Sequence, residues 1–325
     1  MIIFKTINKK FIQNNINYFN FYNLKIKKCF LFFFKIILIV YFILYIILQN
    51  IYKQVNKDKI IKISNKNIKK QKIQNYIVFK YKKYIQELPK YNHTYEKSNK
   101  IFWCWLQGLQ NAPSLVKACY NSIKRNCINH QIIVITENNL LQYIHIPSYI
   151  LKKYKQNYIS RTHFSDLIRL ELILKYGGTW LDSTILITKY DKVIFQNNLF
   201  FFQSVNKIWS VGSNWLISGE RESPILRTTL DMLYRYWSKN NRICHYFLFH
   251  LLFKISCDKY LNDYKKIPLY LSNSAHFLQK ELFNPFNKTK YDQILNLSTL
   301  HKLSRKHTTN ITKGLFYHHI LEEYY

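Results

Sequence analysis

Ser160–Asp182 reads SRTHFSDLIRLELILKYGGTWLD, and its punctuation decides the fold. Apolar residues at Phe164, Leu167, Ile168, Leu170, Ile173 and Leu174 recur at helical spacing, which predicts a helix over Arg161–Tyr176. Gly177 and Gly178 stop that helix, and a strand over Thr179–Leu181 follows, with Asp182 at its end. Upstream, the strand-like run IFWCWLQG (Ile101–Gly108) precedes a helix initiated by Pro113, Ser114–Asn126, and a second strand, Gln131–Thr136. Strand, helix, strand and helix in that order imply right-handed crossovers and a mostly parallel α/β sheet, with ligands beyond the carboxyl ends of its strands. Farther along, strands are expected near Leu199–Gln203 and Asn214–Ser218, helices over Pro224–Trp237 and from Tyr246 to about Ser256, and a terminal helix after Thr312.

Outward from this region the texture changes. Residues 1–28 form a basic tail, and residues 29–48 are apolar apart from Lys35, long enough for one membrane-anchoring helix. Residues 49–100 are a Lys/Asn-rich connector whose charge suits anionic lipid. Residues 101–325 are the expected folded domain. Basic residues on both sides of the apolar run leave its orientation open.

Lys and Arg number 49 against 17 Asp and Glu, a formal charge of +32. Residues 1–100 hold 21 of those cations and three acids, Asp58, Glu87 and Glu96. Such a chain seeks an anionic partner, whether phospholipid, nucleic acid or a phosphorylated small molecule. The cations are interleaved with Asn and Ile and no nucleic-acid-binding signature accompanies them, so nucleic acid is not the expected partner. The six cysteines lack the close spacing of a structural zinc site or redox motif and read as core thiols. Sequons begin at Asn92, Asn287, Asn296 and Asn310, as an Asn-rich chain produces by chance.

The chemistry-bearing residues concentrate around the opening run. An isolated strand-end aspartate more often caps a turn. Asp182, however, ends a buried strand at the expected ligand crevice, where a cation or sugar hydroxyls would offset the cost of burying it. Asp166 and Arg169, three residues apart, share a helix face and converge toward that strand end. On the surface such a pair contributes little, but this helix is apolar at most other positions, and a buried pair usually has a use.

With FWCWLQGLQNAPSLVKACYNSIKRN upstream and SRTHFSDLIRLELILKYGGTWLDSTILIT downstream, the chain is similar to the capsular polysaccharide synthesis protein family. These are relatives of glycosyltransferases that carry an Asp-X-Asp sugar-binding region. The resemblance covers about Ile101–Tyr325 and is dense over Ile101–Thr188. It implies a GT-A-like fold, a nucleotide-sugar donor such as a UDP-sugar, a glycan acceptor, a divalent metal (Mn²⁺ or Mg²⁺) and retention of anomeric configuration. It assigns the donor's sugar hydroxyls and leaving group to Asp166 and Arg169, the first Asp-X-Asp acid to Asp182, and base stacking to Trp105, with Trp103 as the core tryptophan of the pair or the reverse. The second acid is replaced by Thr184, so the metal would rest on Asp182 and Thr184, a poorer donor set. Lys302 is a further partner for the diphosphate, with His301, His318 and His319 weaker ones. His245 and His250 are acceptor-side candidates. The membrane anchor places such an enzyme at the cytoplasmic face of a bacterial membrane or, in a eukaryote, in the Golgi lumen. The missing second acid leaves an alternative, a membrane-bound carbohydrate-binding protein with impaired catalysis.

Overall fold

The computed structural model describes residues 67–204, 210–305 and 313–325, with isolated positions between 40 and 48. Most of the apolar run 29–48 and all of the tail 1–28 lie outside the described residues. Among the described residues no helix is long and apolar enough to cross a membrane. The chain divides into two compact units, Met1–Lys70 and Gln71–Tyr325, and the second holds every strand described below.

Its elements follow the order read from the sequence. Strand β1 (Lys100–Cys104) leads to helix α1 (Ser114–Asn126) and strand β2 (Gln131–Ile135). Helix α2 (Arg161–Tyr176) leads to β3 (Gly178–Leu181) and the short β4 (Ile185–Ile187). After β5 (Leu199–Phe200) and β6 (Leu216–Gly219) come helices α3 (Pro224–Lys239) and α4 (Leu248–Lys259), then β7 (Leu300–Lys302) and the terminal helix α5 (Phe316–Tyr324).

The main sheet has the order β2-β1-β3-β6-β5. β1 pairs in parallel with β2 and β3, and β6 runs antiparallel to both β3 and β5. A second sheet joins β4 to β7 in antiparallel register, with Ile185 opposite Lys302. Alternation along each strand sorts the core into two layers. Phe102, Trp180 and Ile217 pack on the side of α2, α3 and α4, whereas Ile101, Trp103, Leu181 and Leu216 pack against Val116 and Ile123 of α1.

The twin glycines work as the sequence implied. Ser160 caps the start of α2 by accepting from the His163 N–H, and Gly177, at φ 66°, ends the helix while donating to the Ile173 carbonyl at 2.7 Å. Gly178 has φ 109°, and a Cβ there would lie 2.5 Å from the Lys100 carbonyl oxygen. Only glycine lets β3 start this close to β1.

Within the connector 49–100, the described residues from 71 onward pack into the domain. Residues 71–87 are helical, and Ile77, Tyr81 and Ile85, spaced by four, are buried with α2, α3 and α4 in one core. Past this helix, His93 and the Tyr95 N–H both bind the carboxylate of buried Glu220. A narrow apolar stripe among many Lys and Gln residues is enough to bury one helix face, which a composition-based reading overlooks.

Candidate active site

A cavity of about 640 Å³ opens beyond the carboxyl ends of β1 and β3. Trp180 and Asp182, two residues apart, direct their side chains toward α2, and the Trp180 indole N–H donates to Asp182 Oδ1 at 2.9 Å. Arg169 reaches down from α2. Its Nη1 pairs with Asp166 Oδ1, and its Nη2 donates to Asp182 Oδ1 at 3.3 Å and to Ser165 Oγ at 3.2 Å. Asn214, just before β6, donates to Asp166 Oδ1 at 2.8 Å, and His163 Nδ1 lies 3.5 Å from Asp166 Oδ2. Asp166 and Arg169 are 4% and 3% exposed. The Asp182 side chain, 27% exposed, is the more open of the two carboxylates. A buried carboxylate with these partners is fixed in position before any ligand arrives.

The opposite wall comes from β7. Because Lys302 faces Ile185 across the β4–β7 pair, its Nζ falls 3.2 Å from Asp182 Oδ2 and 2.6 Å from Thr184 Oγ1. Burial is the largest influence on Asp182 and pushes its carboxyl up. Lys302 and Arg169, together with the Trp180 N–H, outweigh it and hold the pKa below the ordinary carboxylate value. Asp182 is therefore ionised at neutral pH. Burial, reinforced by the Asp182 charge, pushes the nearby Cys104 thiol up to about 12, so it stays protonated.

Alternation puts Trp103 and Trp105 on one side of the sheet, and they part only because β1 ends at Cys104. Trp103 is wholly buried against Tyr120, while Trp105 lines the cavity with the Arg305 guanidinium 4.9 Å from its ring centre. The structure thus brings Trp105, Asp166, Arg169, Asp182, Thr184 and Lys302 to one cavity. Asn214 as a partner of Asp166, and also Trp180, His163 and Arg305, are site residues outside the sequence expectations. Trp180 had a usable signal, its position two residues before Asp182 on the same strand. Arg305, past the end of a three-residue strand, had none.

Of the remaining candidates, His250 lines the cavity and the other histidines do not. His301 is fully buried on the face of β7 opposite Lys302, and burial lowers its pKa to about 4. His319 stacks on Phe286, and neither it nor His318 lines the cavity. His245 contacts Gln74 and accepts the Phe247 N–H at the start of α4. Its neighbours Tyr246, Phe247 and His250 line the cavity in its place.

The oxygens that a divalent cation would use are already engaged. Both oxygens of Asp182 already receive cationic or N–H donors, and the Thr184 hydroxyl accepts from the same ammonium that binds Asp182. Among the described residues no three His, Cys, Asp or Glu side chains form a metal-binding group. Hard dications favour several anionic or neutral oxygens and are repelled by a fixed ammonium on those oxygens. The residues therefore suit an ammonium and do not fit a metal ion.

Residues 49–320 match the family described as capsular polysaccharide synthesis protein. No curated relative matches the sequence. Among solved structures, the chain is similar to one titled "PaToxG Glycosyltransferase", at 16% identity and TM-score 0.34, covering 62% of this chain and 84% of that one. It is also similar to the apo form of the glycosyltransferase GlyE of Streptococcus pneumoniae TIGR4, at 11% identity and TM-score 0.40, covering 70% of this chain. This chain spans 60% of the length of that GlyE chain.

Proposed function

The chain belongs to the capsular polysaccharide synthesis protein family, and from that premise we propose that it is a glycosyltransferase passing a hexose from a nucleoside diphosphate sugar, a UDP-sugar first among them, to a hydroxyl of a glycan acceptor. The observation that carries this reading is the convergence of Asp166, Arg169 and Asp182 on one cavity at the carboxyl ends of parallel strands. That is where open α/β sheets bind their ligands. The arrangement is of GT-A type, with the donor base on Trp105 and the sugar hydroxyls on Asp166 and Asp182.

In the reaction the bond from the anomeric carbon to the diphosphate breaks, and its electron pair leaves with the diphosphate oxygen. The acceptor hydroxyl forms the new bond and its proton passes to that departing oxygen. Positive charge develops on the sugar ring and negative charge on the leaving group. Arg169 and Lys302 oppose the second, and the two carboxylates orient the ring and face the first. These groups are already held by hydrogen bonds, so little reorganisation accompanies the charge shift. Tyr246 and Phe247 line the same cavity and offer aromatic faces to an acceptor sugar. The resemblance implies that the product keeps the anomeric configuration of the donor, which proton NMR of the first product reads directly.

A screen of nucleotide sugars for protection against thermal unfolding tests the proposal, because a ligand of the native state raises apparent stability by mass action. Protection by at least one sugar nucleotide, with transfer or slow hydrolysis of the same compound, is expected. Absence of both across the common UDP-, GDP- and CMP-sugars overturns the reading.

A further inference from the structure

We propose that Lys302 takes the place of the divalent cation expected of such an enzyme, so that this protein binds its donor diphosphate without metal. The inference rests on the glycosyltransferase reading above and specifies its diphosphate subsite.

Three observations carry it. The first is position. The β4–β7 register sets Lys302 opposite Ile185, and its Nζ bridges Asp182 Oδ2 and Thr184 Oγ1 at 3.2 and 2.6 Å. These are the two side chains on which a metal would have rested. The second is charge at that point. With a neutral hydroxyl at residue 184, the pair carries a single negative charge, which one ammonium balances. A second carboxylate there would have called for a dication. The ammonium uses two of its three N–H donors on Asp182 and Thr184, leaving one for a phosphate oxygen.

The third is the charge of the whole cavity. Its lining holds four permanent or near-permanent cations, Arg161, Arg169, Lys302 and Arg305, against two carboxylates, Asp166 and Asp182, an excess of two positive charges. The diphosphate diester of a sugar nucleotide carries one negative charge per phosphate. The lining therefore neutralises that group without an added ion, whereas a bound dication would leave the site strongly positive. Arg305, whose guanidinium lies over Trp105, joins the base-stacking residue to the same cationic wall.

The test uses the full chain and nucleoside diphosphates (UDP, GDP and ADP, each alone) as probes, with thermal unfolding as the readout. Each is titrated in EDTA and again with Mn²⁺. The expected result is protection by one of them with the same apparent affinity in both buffers, and no shift from Mn²⁺ alone. Lys302→Met, which keeps the unbranched stem and removes the ammonium, is expected to weaken that affinity at least tenfold in EDTA. Protection that appears only with Mn²⁺, or wild-type affinity in a folded Lys302→Met protein, overturns the proposal while leaving the glycosyltransferase reading in place. No protection by any of the three in either buffer, together with failure of the sugar-nucleotide screen, overturns that reading and this proposal with it.

Discussion

At the scale of single residues, Asp182 and Arg169 have different failure modes. Arg169 is 3% exposed and bridges both carboxylates. Arg169→Ala leaves Asp166 buried without its cation, and removing one partner of a buried pair costs about 3–5 kcal/mol. Urea denaturation is expected to show that loss. Asp182→Asn keeps shape and removes charge at the more open site, so it is the cleaner probe. Transfer activity is expected to fall at least a hundredfold, by about 3 kcal/mol of lost transition-state stabilisation or more. Because the folded pKa of Asp182 lies below its ordinary value of 3.8, the contribution of its charge is complete above that pH and is lost as the pH falls through the depressed value. The stability gap between wild type and Asp182→Asn should therefore hold from pH 7 to pH 5 and narrow only as the pH falls below 3.8. His301 titrates in a separate window. Its buried ring stays neutral down to about pH 4, whereas the unfolded chain takes up a proton near 6.5. Stability should fall across that interval by about 3 kcal/mol. His301→Leu, which also removes a buried Nδ1 lacking a hydrogen-bond partner, is expected to flatten the slope. An unchanged slope in the variant would assign it to another group.

At the scale of elements, what the sequence disclosed depended on local signals. Helices α1 and α2 begin and end where Pro113, Ser160 and Gly177 punctuate the chain, because caps and stops act within one turn. Helix α4 begins two residues later than expected, at Leu248. The His245 ring accepts the Phe247 N–H and holds a turn that leaves Tyr246 exposed at the cavity. Strand β5 is shorter than Leu199–Gln203, since only Leu199 and Phe200 pair with β6, while Phe201 and Phe202 are buried by packing. Strand β7 had no legible periodicity in three residues, and its site partner Thr184 lies 118 residues away. Placing Asp166, Arg169 and Asp182 together needed only one helix and the strand after it. Adding Lys302 needed a long-range pairing that no local pattern encodes. The β3–β1 contact offers the sharpest element-level test. Gly178→Ala puts a Cβ 2.5 Å from the Lys100 oxygen at a φ that alanine resists. A loss of about 2 kcal/mol or more is expected from the strain, measured as a lower urea midpoint at unchanged m-value. A midpoint equal to wild type would show that the strands separate freely there.

At the scale of the whole molecule, the question is where the folded unit begins. The unit Gln71–Tyr325 includes the helix through residue 87, whose Ile77, Tyr81 and Ile85 are 2%, 3% and 7% exposed. Lys259 at the end of α4 donates to the Ile85 carbonyl, and Tyr91 donates to Asp231 on α3. Burying three such side chains contributes about 2 kcal/mol each. That sum is comparable with the net stability of an ordinary domain, about 5–15 kcal/mol. A chain beginning at residue 71 keeps all three, whereas one beginning at residue 88 exposes the apolar surfaces of α2, α3 and α4 that they cover. The first is expected to unfold cooperatively with a midpoint close to that of the full chain, and the second to be insoluble or to melt without a cooperative transition. The strong basic excess does not decide between them, because charge governs solubility and partners more than packing. A soluble, cooperatively melting 88–325 protein would mean that the helix merely rests on a core complete without it. The boundary near residue 100 expected from composition would then stand.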